Sequence, residues 1–131
     1  MKRAILNTVA PALLAAALAL PVASMAANPA PENTQFKSAE VGGLNIAYRE
    51  AGDPANPTVL LLHGFPTSSH MFRNLIPELA EDYHVIAPDY PGFGASDMPD
   101  AAEYEYSFAN TAALMTELLD QKGVDKYAVY L

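Results

Sequence analysis

The chain has 131 residues, with seven Lys plus Arg against fifteen Asp plus Glu, which leaves room for one small domain and excludes a two-domain enzyme. A net charge of −8 with no basic cluster excludes nucleic acid and anionic membrane surfaces as partners, because phosphate binding needs gathered Lys and Arg. The lack of any Cys removes thiolate metal sites, a cysteine nucleophile and a lipidated cysteine anchor, while 51% hydrophobic against 17% charged residues suffices for a packed core.

Lys2 and Arg3, the apolar run Val9 to Leu20 and the small residues Ser24 and Ala26 read as a secretory signal peptide over residues 1–26, with Ala27 an alternative last residue. Twelve apolar residues rise only about 18 Å as a helix, short of the roughly 30 Å hydrocarbon core, so this is an export signal and not a span. The expected location is periplasmic or secreted, with no membrane contact once the signal is cut. Residues 27–35, containing Pro29 and Pro31, read as a flexible leader.

Phe36 to Val41 and Leu44 to Glu50 are strand-like runs joined by Gly42-Gly43, a hairpin signature. Thr58 to Leu62 is unbroken apolar sequence, expected to be a strand buried on both faces. Phe72, Leu75, Ile76 and Leu79 recur at helical spacing, with Ser68 or Ser69 as the cap. Val85 to Ala87 is a further buried strand stopped by Pro88. Phe108, Ala112, Met115 and Leu119 mark a second helix ending near Gly123, and Tyr127 to Leu131 begin a fifth strand. The alternation predicts an α/β fold: a hairpin, then βαβαβ with parallel strands.

Ligands of open α/β sheets sit beyond the carboxyl ends of the strands, which directs attention to the loops after Leu62 and Ala87. The first reads His63-Gly64-Phe65-Pro66. Its glycine suggests backbone passing close to something, and its proline blocks helix. The second, Asp89-Tyr90-Pro91-Gly92-Phe93-Gly94-Ala95-Ser96-Asp97, is a turn whose glycines Gly92 and Gly94 serve conformation; without a third glycine they make no dinucleotide fingerprint. Asp89 and Asp97 read as a solvated turn or a helix cap before an acid/base pair. His63 reads as a hydrogen-bonded loop residue. His70 and His84 lack metal-ligand spacing and are placed on the surface or at a strand end, and Tyr104 and Tyr106 are loop anchors.

These two motifs at this spacing resemble the N-terminal part of the α/β-hydrolase fold, over roughly Phe36 to Leu131, and most resemble its epoxide hydrolase and haloalkane dehalogenase branch. The resemblance implies that the Phe65 backbone N–H is one oxyanion-hole donor, a contribution typically worth ~3 to 4 kcal/mol of barrier. It implies that His63, with Gly64, braces this loop and is not the catalytic histidine, that Pro66 directs the Phe65 amide, often through a cis bond, and that Asp89, Gly92, Gly94 and Ser96 form a structural turn. A small-molecule substrate in the full-length relative is implied, and no cofactor or metal.

No G-x-S-x-G or G-x-D-x-G occurs in the 131 residues, and by the resemblance the nucleophile falls about two residues beyond Leu131. The expectation is therefore an N-terminal hydrolase fragment, cut within the fifth strand and inactive by itself. An Asp nucleophile would mean epoxides or haloalkanes and a Ser would mean esters. Phe65 stands where dehalogenases often carry a polar residue to hold the halide, which tilts the reading to epoxides. The competing expectation is an exported, non-catalytic binding module that uses the same loops.

Overall fold

The computed structural model describes residues 34–131; the expected signal peptide 1–26 and the first part of the expected leader lie outside them. Gln35, the last residue of the expected leader, already belongs to the first strand, where it pairs with Glu50. Strands β1 (Gln35–Val41) and β2 (Leu44–Ala51) form the expected hairpin. Gly42 and Gly43 have φ of 56° and 79°, the successive left-handed pair that a two-residue turn matched to strand twist requires.

Strand β3 (Thr58–Leu61) leads to a 3-10 turn at Ser69–Phe72 and helix α1 (Leu75–Leu79), then to β4 (His84–Pro88), helix α2 (Phe108–Gln121) and β5 (Tyr127–Tyr130). The five strands lie in the order β1-β2-β4-β3-β5. β3 is parallel to β4 and β5, whereas β2 is antiparallel to both β1 and β4. The sheet is thus mixed, its parallel half carrying the hairpin on the β4 side.

Neighbouring residues of each central strand serve opposite cores. Leu60 and Ile86 face Leu114, Met115, Leu118 and Leu119 of α2, together with Val41, Ile46 and Tyr48. Leu61, Val85 and Ala87 face Phe72 and Ile76 on the other side. Burial on both faces is why β3 and β4 read as continuous apolar runs.

One expectation needs correction. The helix predicted through Phe72 to Leu79 is split, because Pro77 has no N–H to donate to the carbonyl four residues back; the chain makes a 3-10 turn and restarts at Leu75. In α2 the start at Phe108 and the stop before Gly123 are as expected; the Ser107 side chain caps it, and its buried residues are Leu114, Met115, Leu118 and Leu119. Phe108 is 97% exposed and Ala112 is exposed too, so among the described residues these two lie outside the core. β5 pairs with β3, and all four of its residues are exposed.

Candidate active-site cleft

At the carboxyl ends of β3 and β4 the two loops singled out by sequence come together. His63 is buried, with Nδ1 2.9 Å from the Gly64 carbonyl oxygen and Nε2 3.1 Å from the Tyr90 nitrogen. The Tyr90 amide only donates, so Nε2 accepts and the Nδ1 proton goes to Gly64: the ring is neutral and both its nitrogens are occupied. Its ring also lies against Tyr90 at 4.3 Å between centroids. The ring ties the loop after β3 to the end of β4, with no nitrogen left for proton transfer.

The Gly64 carbonyl also accepts from the Thr67 amide at 3.2 Å and the Thr67 hydroxyl at 2.7 Å. That carbonyl and the Phe65 N–H belong to one planar trans peptide, so three donors fixing the oxygen also fix the direction of the N–H on the opposite side. None of the hydrogen bonds among the described residues uses the Phe65 N–H. The Phe65 side chain is 85% exposed and meets Phe93 edge-on at 6.0 Å. The Phe65–Pro66 bond is cis. Gly64 departs from expectation: a Cβ there would meet nothing within 4 Å, so its bare Cα borders open space and does not pass close to other backbone.

Asp89 is neither solvated nor a simple turn residue. It is 6% exposed, and its Oδ1 accepts from the Ser69 amide at 2.7 Å, which caps the 3-10 turn across space, while Oδ2 accepts from the Ala95 amide at 3.0 Å. Gly94, at φ 56°, lets the chain wrap this carboxylate; a Cβ would come 2.0 Å from Oδ2. Gly92, at φ 83°, donates its amide to the Asp97 carbonyl. Ser96 Oγ donates to the Asp89 carbonyl and accepts from the Ala47 amide, and Asp97 Oδ2 accepts from Asn45. The turn is a scaffold riveted to β2. Asp97 therefore works apart from Asp89, and the two form no acid/base pair.

The remaining candidates divide. His70 is exposed and contacts Arg49. His84 is at a strand end as expected but is buried, 2.8 Å from Glu50 and 3.2 Å from Thr58, away from the cleft. Tyr106 anchors its loop by donating to the Pro99 carbonyl, whereas the hydroxyl of Tyr104 is buried without a partner among the described residues, and burial pushes it up from its usual range.

Between these loops, α2 and β5 lies an open cleft of about 970 Å³. Phe65, Tyr90 and Phe93 form one wall and Phe108, Ala112 and Val129 another; none of its lining residues is Lys, Arg, Asp or Glu. The contribution of Phe108 and Ala112 was not foreseen, because helical spacing marks an apolar stripe without saying whether the stripe meets a core or a cavity. Among the described residues no three His, Asp or Glu side chains are grouped to hold a metal ion. The arrangement offers an oxygen one fixed amide donor in apolar surroundings.

Residues 57–130, more than half the chain, match the family model for the alpha/beta hydrolase fold. The chain belongs to the α/β-hydrolase fold family. It is 53% identical over 89 residues to an uncharacterized hydrolase of Saccharomyces cerevisiae, covering 68% of this chain and 30% of that one. It is 43% identical over 94 residues to a haloalkane dehalogenase of Bradyrhizobium diazoefficiens, covering 72% and 29%. The crystal structure of epoxide hydrolase A from Mycobacterium thermoresistibile superposes with a TM-score of 0.68 at 38% identity, over 73% of this chain and 30% of that one. This α/β-hydrolase chain therefore spans about 30% of the length of the curated relatives it matches.

Proposed function

We propose that these residues are the donor half of an exported α/β-hydrolase that works by nucleophilic attack and a covalent ester intermediate, with the Phe65 amide stabilising the oxyanion. One observation carries the reading: the Phe65 N–H is oriented by a fully occupied Gly64 carbonyl yet has no acceptor among the described residues, at the rim of a cleft without charged walls. Such a wall suits a neutral, apolar substrate. Phe65 brings no side-chain donor for a departing halide, which favours epoxides over haloalkanes. The signal over residues 1–26 makes the product periplasmic or secreted.

The 131 residues contain no nucleophile elbow, so alone they turn nothing over. Purified chain incubated with esters, epoxides and haloalkanes should match a buffer blank; a burst of product would overturn this. Coding DNA read past the codon for Leu131 should give G-x-D-x-G or G-x-S-x-G in frame within a few codons. An immediate stop, with a soluble product that unfolds cooperatively, would instead favour a non-catalytic binding module. Mass spectrometry of the exported protein should find Ala27 as its first residue.

A further inference from the structure

The loop that carries Phe65 is strung between two anchors, and both sit on consecutive residues at the end of β4. Before Phe65, His63 Nε2 accepts the Tyr90 amide at 3.1 Å; after it, the Ser69 amide donates to Asp89 Oδ1 at 2.7 Å. Asp89 is itself immobilised. Its amide donates to the Ala47 carbonyl at 2.8 Å, its carbonyl accepts from Ser96 Oγ at 2.7 Å, and Gly94 leaves no space beside its Oδ2. A carboxylate has two acceptor oxygens and so takes the Ser69 and Ala95 amides together, whereas an Asn side chain has one and would turn its NH2 against the other amide. Buried acceptors serving two loops at once leave little freedom to either loop.

We infer that Asp89 is a positioning residue for the Phe65 N–H: its carboxylate fixes the trailing end of the donor loop as His63 fixes the leading end. The inference rests on Phe65 being the oxyanion donor, but it is tested without substrate, so it fails or stands separately from the hydrolase reading.

The test is backbone 15N relaxation on the full chain. The Phe65 amide should have an order parameter of about 0.85 in the parent and below about 0.6 in Asp89→Asn, with hairpin and α2 amides unchanged. A merely structural role would lower the melting temperature and leave Phe65 as ordered as before at 25 °C. Ser69→Pro removes the amide that Oδ1 accepts, together with the hydroxyl that the alanine variant below controls for, at a first helical position where proline fits, after a Ser68 whose φ of −149° and ψ of 179° suit a following proline. It should loosen Phe65 as Asp89→Asn does, and it decides the matter if Asp89→Asn fails to fold. Ser69→Ala keeps the amide and loses the hydroxyl contact with Arg49, and should match the parent. Parent-like order at Phe65 in Asp89→Asn or Ser69→Pro, or equal loosening in Ser69→Ala, would overturn the assignment.

Discussion

Replacing Glu50 by Gln is expected to cost stability in a way that depends on pH. The Glu50 side chain is 9% exposed, with Lys37 Nζ at 2.6 Å, His84 Nε2 at 2.8 Å and Lys122 Nζ at 2.9 Å. Burial pushes its carboxyl up, but hydrogen bonds from Lys37, His84 and Lys122 outweigh that and hold it at about 2, against an ordinary 4.5. At ~1.4 kcal/mol per pH unit the full difference is about 3 kcal/mol. The two lysine side chains are 39% and 19% exposed, and solvent screening reduces the figure to about 2 kcal/mol. Since the folded-state value lies below the unfolded one, this contribution is complete above about pH 4.5 and is lost as pH falls toward 2. At pH 7 Glu50→Gln should lower the melting temperature by about 8 to 16 °C for a domain of this size. Urea titrations followed by tyrosine fluorescence at pH 7, 5 and 3 should show the gap between parent and variant wide at the first two and narrowed at the third. An equal gap at all three, or no gap at pH 7, would refute the reasoning.

Two glycines of the candidate site should behave oppositely. Gly94→Ala, at φ 56° and with its Cβ 2.0 Å from Asp89 Oδ2, should destabilise by about 2 kcal/mol or more, whereas Gly64→Ala, whose Cβ meets nothing, should stay within about 0.5 kcal/mol; urea midpoints check both. On α2, Leu118→Ala should cost about 2 to 5 kcal/mol because Leu118 is fully buried, while Phe108→Ser should change stability by less than about 0.5 kcal/mol although both residues are large and apolar. A large loss for Phe108→Ser in the same titration would contradict its placement on the cleft.

Local chemistry made the elements legible. Gly42-Gly43 prescribes a hairpin turn, unbroken apolar runs prescribe strands covered on both faces, and Ser107 and Gly123 bracket α2 by capping rules that need no tertiary information. The break before Leu75 was readable in principle, since the amide that Pro77 lacks is a local fact. The insertion of β4 between β2 and β3 was not, because strand order is decided by contacts between distant segments. At the site, the Gly-aromatic-Pro corner singled out the loop proposed to carry the donor, and the spacing of Asp89, Gly92, Gly94 and Ser96 singled out the turn. What Asp89 holds was hidden, because Ser69 lies twenty residues away in sequence. That Phe108 and Ala112 face the cleft was not readable, since periodicity reports which side of a helix is apolar, not what lies opposite.

Among the described strands, β4 alone has neighbours running in both senses, and it is the only backbone ladder joining the hairpin to β3 and β5. Synthesis delivers β3 before β4, so β3 emerges with no partner beside it and waits for residues 84–88 to bridge the gap. The hairpin, made of contacts close in sequence, can zip early, while the parallel half must close a longer loop first. Cutting that single bridge would release two pieces of sheet at once, which makes β4 the place where cooperative unfolding of this architecture is decided.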